Sequence, residues 1–374
     1  MTQPDPRWAR LDSVSAHPIS TRHPESPTLP QPALPRQALS RHATALLALT
    51  ALLGGCSTNA TEVKPPTIEA ARAAVSPPPV AAPAGRVVPL GGRPAAAVFD
   101  RATASLVVFT PAAGASAPAM LSILGAAGTP RSVALPGGAS AVAGDQRGTL
   151  YAATRGGVLT VDLAAGTVDR MAVPGQADTD FTAIARRADG RLVLGSADGT
   201  VYTLAPDLTV TTEVGIFARI DAIVAESDTA VVLDRGQTSV TALSVEGNPQ
   251  QALRAGTGAT TIATDAAGRV LVADTRGGQL LVFSVRPLIA RQAYPVPGAP
   301  YGLTGSRQLT WVSQTATNTV VGYDLATGIP VEKVRYPTVQ QPNSLAFDDA
   351  SGTLYVVSGS GAGVQVIPNA AGAP

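Results

Sequence analysis

The sequence predicts an all-β protein, a seven-bladed β-propeller with four strands in each blade. A unit of about 41 residues recurs seven times, which is a typical blade length for such propellers. Each copy contains an inner strand whose first residue is small, as strands that converge on a central axis require. One unpaired strand, Gly85–Leu90, precedes the first copy, and the last copy has room for only three strands.

The repeat is clearest at the turn that follows each inner strand. Asp145–Ala153, Arg187–Gly195 and Asp265–Ala273 each begin with a polar, glycine-containing turn and continue as an apolar strand. A second turn with a Gly-Gly or Asp-Gly pair follows, and these pairs supply the positive φ of tight hairpins. The inner strands are expected to begin at Ala96, Ala141, Ala183, Ala222, Thr261, Gly302 and Ser344.

The two ends of the repeat predict how the ring closes. Gly85–Leu90 can pair with the last copy, about Gln340–Ile367, as its outer strand and so cover an edge that would otherwise be exposed. The alternative is a two-sheet β-sandwich followed by a second domain. The unbroken period from 86 to 369 disfavours that alternative.

The segment Leu53-Gly54-Gly55-Cys56 has the form of a bacterial lipobox. It follows basic residues and the apolar run Ala43–Leu53, the order of a secretory signal. The run is shorter than the roughly 20 apolar residues that a membrane-spanning helix needs. Cys56, the only cysteine, is therefore predicted to carry diacylglycerol and palmitate on the outer, extracytoplasmic face of the cell membrane. The alternative is a buried helix that ends in Gly-Gly-Cys.

Three regions follow from these patterns. Residues 1–55 are predicted to be a disordered N-terminal extension and the signal peptide, and a start codon placed too far upstream would explain residues 1–35. Residues 56–84 are rich in Pro and Ala and predict an extended tether that contributes nothing to the stability of the domain. Residues 85–374 are predicted to form the propeller.

Composition excludes several classes of function. All three histidines, His17, His23 and His42, precede Cys56, and no other cysteine exists. Ser-His-Asp and Cys-His catalysis, disulfides, zinc sites with His or Cys ligands and haem ligation by His are therefore excluded from the mature chain. Five of the 27 basic and three of the 26 acidic residues precede Cys56, which leaves a nearly neutral chain with no basic stripe for nucleic acid.

The loops at one end of the propeller predict the ligand site. The loops that enter the inner strands and the turns between the second and third strands share this end, which we call the mouth face. Candidate ligand-binding residues from the inner strands are Asp221, Tyr301, Asn343, Thr182 and Thr260, together with Ser140. An outer set is interpreted mainly as hairpin-turn residues: Arg155, Asp198, Asp234, Arg235, Asp274, Arg276 and Gln314.

Four aspartates recur at one position of the repeat, at the opposite end. Asp100, Asp145, Asp265 and Asp348 end inner strands in separate blades, so we interpret them as turn-forming residues and predict no metal site from them. Trp311 lies in a strand and is expected in the core. No catalytic residue and no cofactor are predicted.

Several segments resemble known propellers. Gly352–Val357 and Val321–Gly328 resemble the YVTN/NHL-type seven-bladed β-propellers. The segments Asp180–Arg187, Val232–Val240 and Tyr336–Phe347 resemble the mycobacterial LppL family of lipoproteins. This resemblance extends from about Pro65 to Val366 and implies an actinobacterial cell-envelope lipoprotein, without implying catalytic residues. Residues 1–35 depart from it.

Two hypotheses for function remain. The first is a membrane-anchored binding or scaffolding module for a protein or a cell-wall component. The second is a lactonase-like or sugar-metabolite enzyme that uses Ca²⁺ in the channel, held by hard oxygen ligands such as Asp221 and Asn343. No tryptophan recurs blade by blade, which disfavours a quinone-dependent dehydrogenase.

Overall fold

The computed structural model describes residues 65–114, 117–125 and 128–372, which contain 28 β-strands and no helix. Within these ranges, accordingly, no helix is long and apolar enough to cross a membrane. Cys56, the predicted lipobox and the predicted segment 1–55 lie outside the described residues.

The strands form seven blades in chain order. Blade 1 comprises β2 (Ala96–Asp100), β3 (Ser105–Thr110), β4 (Ala119–Leu124) and β5 (Pro130–Leu135). Blade 2 comprises β6 (Ala139–Gly144), β7 (Thr149–Thr154), β8 (Gly157–Asp162) and β9 (Val168–Ala172). Blade 3 comprises β10 (Phe181–Arg186), β11 (Leu192–Ser196), β12 (Val201–Leu204) and β13 (Val210–Val214). Blade 4 comprises β14 (Ala222–Glu226), β15 (Thr229–Asp234), β16 (Ser239–Leu243) and β17 (Pro249–Arg254).

The remaining blades complete the ring. Blade 5 comprises β18 (Ala259–Thr264), β19 (Val270–Asp274), β20 (Gln279–Val285) and β21 (Leu288–Pro295). Blade 6 comprises β22 (Pro300–Gly305), β23 (Thr310–Gln314), β24 (Thr319–Asp324) and β25 (Val331–Pro337). Blade 7 comprises β26 (Pro342–Asp348), β27 (Thr353–Ser358), β28 (Val364–Ile367) and, as its outer strand, β1 (Arg86–Val88).

Each blade is a four-stranded antiparallel sheet, and the inner strands contact one another in chain order until β26 returns to β2. The predicted seven-bladed propeller is thus confirmed. β1 pairs with β28 through Arg86 opposite Val366 and Val88 opposite Val364, so the predicted closure of the ring is also confirmed. Gly85 precedes this strand with φ +72°, and a Cβ there would lie 2.2 Å from the Val366 carbonyl oxygen, so only glycine fits.

The predicted starts of five inner strands were wrong, because each of these strands begins two residues earlier than predicted. β6, β10, β18, β22 and β26 begin at Ala139, Phe181, Ala259, Pro300 and Pro342. Each of these first residues pairs with the neighbouring strand, and an irregularity then shifts the register before the predicted start or, in blade 6, just after it. β2 and β14 pair regularly and begin where predicted. An inserted residue of this kind interrupts the ladder of backbone hydrogen bonds at the entry of the strand, as β-bulges do.

The hydrophobic core lies between adjacent blades. One cluster joins apolar side chains of blades 1 and 2, and another joins blades 4 and 5. Trp311 of blade 6 is fully buried, with ring centroids 5.7 Å from Phe347 of blade 7 and 6.5 Å from Tyr336. The prediction that Trp311 is a core residue is confirmed.

The four recurring aspartates form turns, as predicted. Asp145 accepts hydrogen bonds from the backbone N–H groups of Arg147 and Thr149, at 2.7 and 3.0 Å. Asp265 accepts bonds from two backbone N–H groups in the same way and also pairs with Arg269. Asp100 and Asp348 accept bonds within their own turns. The carboxylates therefore satisfy turn amides at the end of the propeller opposite the mouth face.

Candidate functional site

The mouth face carries the predicted ligand residues at the start of the inner strands. Ser140, Thr182, Thr260, Tyr301 and Asn343 all occupy the irregular positions where the strand register shifts. Asp221 directly precedes β14, which has no such irregularity. The structure thus places these residues on one face, as expected, and distributes them over blades 2 to 7.

The hydroxyl groups among them join neighbouring blades. Thr182 Oγ1 donates to the carbonyl of Ile220, at 2.8 Å, and so links blade 3 to the loop before blade 4. Thr260 Oγ1 lies 2.6 Å from Thr275 Oγ1, which donates to the carbonyl of Pro300 in blade 6. Thr182 therefore links two blades directly, whereas Thr260 does so only through Thr275. Their predicted role in ligand binding stays a prediction.

Asp221 has both carboxylate oxygens engaged. One oxygen pairs with Arg219 at 2.8 Å, and the other accepts the backbone N–H of Arg235 at 3.0 Å. The side chain is only 5% exposed, and this burial raises the pKa of the Asp221 carboxyl despite the two favourable partners. Asp221 therefore connects the loop before β14 to the turn between β15 and β16.

Two aspartates of the outer set are fully buried and hold loops. Asp274 accepts hydrogen bonds from the backbone N–H groups of Thr257, Gly258 and Gly277 and from the amide of Gln279. Asp234 plays the same role in blade 4, where it accepts the backbone N–H groups of Ala218 and Gln237. The interpretation of these two residues as turn residues is confirmed.

A segment outside the blades lies on the mouth face of blades 4 to 7. This segment, Thr67–Pro77, which we call the strap, belongs to the predicted tether and has no regular secondary structure. The backbone N–H of Ile68 donates to the carbonyl of Gly236 at 2.8 Å, and the hydroxyl of Ser76 donates to the carbonyl of Thr315 at 2.5 Å. Part of the predicted tether is therefore hydrogen-bonded to the propeller.

Gln341 connects the strap to a predicted ligand residue. Its amide donates to the carbonyl of Ala74 at 2.9 Å and to Asn343 Oδ1 at 3.0 Å, and its oxygen accepts the backbone N–H of Ser76. Sequence reasoning missed Gln341 and Ser76. The only signal was a small polar residue in a proline-rich segment and a long amide side chain before β26, which alone indicate no contact.

The mouth face of blades 2 and 3 is open. Two adjoining cavities of about 560 and 360 Å³ share Ala177 and Asp180 as lining residues. The exposed carboxylate of Asp178 pairs there with Arg155 at 3.1 Å, with 96% and 64% of the two side chains exposed. The cavities are lined mostly by exposed loop residues and by Ser140, Thr154 and Ser196, so they form a shallow polar surface.

The enzyme hypothesis requires a Ca²⁺ site in the channel. No group of three or more His, Cys, Asp or Glu side chains within them could hold a metal ion. The two proposed Ca²⁺ ligands are engaged elsewhere, because Asp221 binds Arg219 and Asn343 Oδ1 accepts from Gln341. The channel-bound Ca²⁺ of the enzyme hypothesis stays a prediction, with no observation in its favour.

Comparison with known proteins shows the fold. No family model matches the chain, and no curated protein matches it, so the resemblance to the LppL lipoproteins has no support here. The WD40 repeats of RRP9 superpose with a TM-score of 0.63 at 14% identity, over 77% of this chain and 99% of that one. A streptogramin B lyase superposes with a TM-score of 0.62 at 11% identity, over 76% and 97%.

A third similar structure has the same fold. It is the virginiamycin B lyase of Staphylococcus aureus with quinupristin, a histidine-to-alanine variant described as catalytically inactive (TM-score 0.59, 13% identity, 75% of this chain and 97% of that one). The described propeller of the present chain contains no histidine. At these identities the likeness establishes a β-propeller and no activity.

Proposed function

We propose that this protein is a membrane-anchored lipoprotein of the cell envelope whose propeller binds a protein or another envelope component. The open mouth face of blades 2 and 3 carries this proposal. Its adjoining cavities present carboxylates, the guanidinium groups of Arg155 and Arg170, and backbone groups on a broad, shallow surface. A small ligand is usually enclosed in a deep pocket, whereas such a surface suits a macromolecular partner.

The ion pair on this surface supports a binding role. Arg155 and Asp178 are both largely exposed, and an exposed ion pair of this kind contributes little to stability. Both groups can therefore exchange their mutual contact for contacts with a partner at small cost. The binding surface would include Asp180, which lines both cavities.

The anchoring part of the proposal rests on the lipobox that ends at Cys56 and on the apolar run Ala43–Leu53 before it. Cys56→Ala should release the exported protein from the membrane fraction and abolish incorporation of labelled palmitate. A variant that stays in the membrane fraction after export would contradict lipid anchoring. Cys56→Ala leaves every described contact of the propeller unchanged, so its melting curve serves as the control for folding.

The binding part is tested by cross-linking in cells. A photoreactive amino acid at Asp178 should form a discrete cross-linked product with an envelope component. The matched control is Thr327, an exposed residue in the turn between β24 and β25, at the opposite end of the propeller. Equal cross-linking from both positions, or none from Asp178, would contradict a binding surface on blades 2 and 3.

A further inference from the structure

The strap lies in a groove built by the outer turns and loops of four blades. The residues that contact it, which we call the strap groove, are Arg235, Gly236, Gly258, Arg276, Thr315, Asn318, Gln340 and Gln341. They come from blades 4, 5, 6 and 7, so the groove crosses more than half of the mouth face.

The groove recognises mainly the backbone of the strap. The Arg276 guanidinium donates to the carbonyl of Glu69 at 2.7 Å, and the amide of Asn318 donates to the carbonyl of Pro77 at 2.7 Å. Between them, Arg235 donates to the carbonyl of Ala71, and Gln340 donates to that of Ser76 at 3.0 Å. Because these hydrogen bonds go to backbone carbonyls, they require the bound segment to be extended but place little restriction on its side chains.

Only two strap side chains are buried, and both are small. Ala71 is 6% exposed, and Ser76, five residues later, is 4% exposed. Gly258 makes room for Ala71, because a Cβ at that glycine would lie 2.9 Å from the Ala71 Cβ. The Ser76 hydroxyl donates to Thr315 and accepts the backbone N–H of Gln341 at 3.1 Å. Val75, between them, is 91% exposed.

We infer that the strap groove is a binding site for an extended polypeptide with small residues at two positions five apart, and that the strap occupies it in cis. The recognition pattern is that of a peptide site: long side chains of the groove bind the ligand backbone, and two shallow pockets select small side chains. The partner polypeptide would carry Ala or Ser at both positions and would replace the strap.

A partner peptide can replace the strap because few side chains of the strap are buried. Val75 is 91% exposed and Ile68 is 40% exposed, so release of the strap uncovers only part of one large apolar side chain, that of Ile68. The covalent connection through residues 78–84 keeps the strap at a high effective concentration beside the groove. A partner peptide therefore competes with the strap and binds fully only after the strap is displaced.

This inference rests on the proposed binding role and names its ligand class, and it is tested on the folded full-length chain. A protease site is inserted between Val80, which is fully exposed, and Ala81, and the strap is cut after folding. A fluorescent synthetic peptide of residues 65–79 is then added. We expect the peptide to bind the cut protein and to bind the uncut protein at least 10-fold more weakly, by fluorescence anisotropy.

Peptide variants separate groove recognition from nonspecific binding. Ser76→Trp in the peptide should abolish binding, because the Ser76 pocket has no room for a large side chain. Val75→Lys, at an exposed position, is the matched control and should bind as the parent peptide does. Equal binding of these two peptides would overturn the inference.

Two further outcomes would also overturn it. The first is a cut protein that stays folded, releases the strap and does not bind the peptide. The second is a cut protein that loses its cooperative melting transition, since the strap would then be an obligatory part of the fold. In either case the tests at Cys56 and Asp178 remain independent, because neither residue lies in the groove.

Discussion

The two halves of the mouth face use the same blade architecture for different purposes. In blade 4 the guanidinium of Arg235 donates to the strap, and in blade 5 that of Arg276 does the same. In blade 2 the corresponding turn residue, Arg155, pairs instead with the exposed Asp178. A pseudo-symmetric ring therefore carries one covered and one open surface. Arginines on equivalent turns bind the strap on the covered surface and an exposed aspartate on the open surface.

The two halves differ in whether their aspartates are buried within turns or exposed to solvent. On the covered half, Asp234 and Asp274 are fully buried and shape the turns that contact the strap. On the open half, Asp178 and Asp180 are exposed, and each can make new contacts without loss of a buried hydrogen bond. The partner that we propose would therefore meet exposed carboxylates on blades 2 and 3.

The largest expected effect comes from removal of the N-terminal segment through residue 90. This deletion removes β1, exposes the edge of β28 and opens the ring, so we expect aggregation or a melting temperature more than about 10 °C lower. Deletion of 57–82 keeps β1 and removes only the strap contacts. The tether interpretation predicts no change for this second deletion.

The observed strap contacts revise that expectation. Loss of Ala71, Ser76 and their hydrogen bonds should destabilise the protein by about 2 kcal/mol, which corresponds to a fall in melting temperature of about 3 °C for a domain of this size. Scanning calorimetry of both deletions and of the full chain gives the comparison. Identical melting curves for the 57–82 deletion and the full chain would contradict a docked strap.

A pair of point substitutions compares the two halves directly. Gln341→Ala removes contacts to Ala74, Ser76 and Asn343, and it should lower the free energy of unfolding by about 1 kcal/mol, or the melting temperature by about 1.6 °C. Arg155→Ala on the open half removes one exposed ion pair and should cost less than about 0.5 kcal/mol. Urea unfolding measures both values. A larger loss of unfolding free energy for Arg155→Ala than for Gln341→Ala would contradict the assignment of the stabilising contacts to the covered half.

Asp221 lies at the boundary of the two halves and gives a prediction in pH. Because burial raises the pKa of its carboxyl in the native state above the ordinary value of 3.8, the native state takes up this proton first as the pH falls. The contribution of Asp221 to stability therefore increases as the pH falls through its native pKa towards 3.8. Relative to Asp221→Asn, the wild type should gain stability in this window.

The measurement is the difference in unfolding free energy between wild type and Asp221→Asn at pH 7 and at about pH 4. Asp234→Asn is a useful comparison, since Asp234 is also buried and holds the same loop. A difference between wild type and Asp221→Asn that shifts in favour of the variant on acidification would show that the ion pair with Arg219 outweighs burial.

The sequence predicted the ring because the repeat is local and periodic. Turn glycines and alternating apolar residues mark each blade, and β1 was identified by the missing fourth strand of blade 7. The irregular strand entries at Thr182 or Asn343 were not predicted, since one inserted residue leaves the apolar pattern beyond it unchanged. The strap was missed because hydrogen bonds to its backbone leave no pattern in its side chains.

The smallest expected effect is that of Ca²⁺. A Ca²⁺ ion needs about six or more oxygen ligands, and both Asp221 oxygens already bind Arg219 and the Arg235 backbone. A ligand that binds only the native state raises the melting temperature by mass action. We expect millimolar Ca²⁺ and a chelator to leave the melting curve unchanged. A rise with Ca²⁺ that Asp221→Ala abolishes would instead favour the enzyme hypothesis, and a rise that survives Asp221→Ala would place an ion elsewhere on the chain.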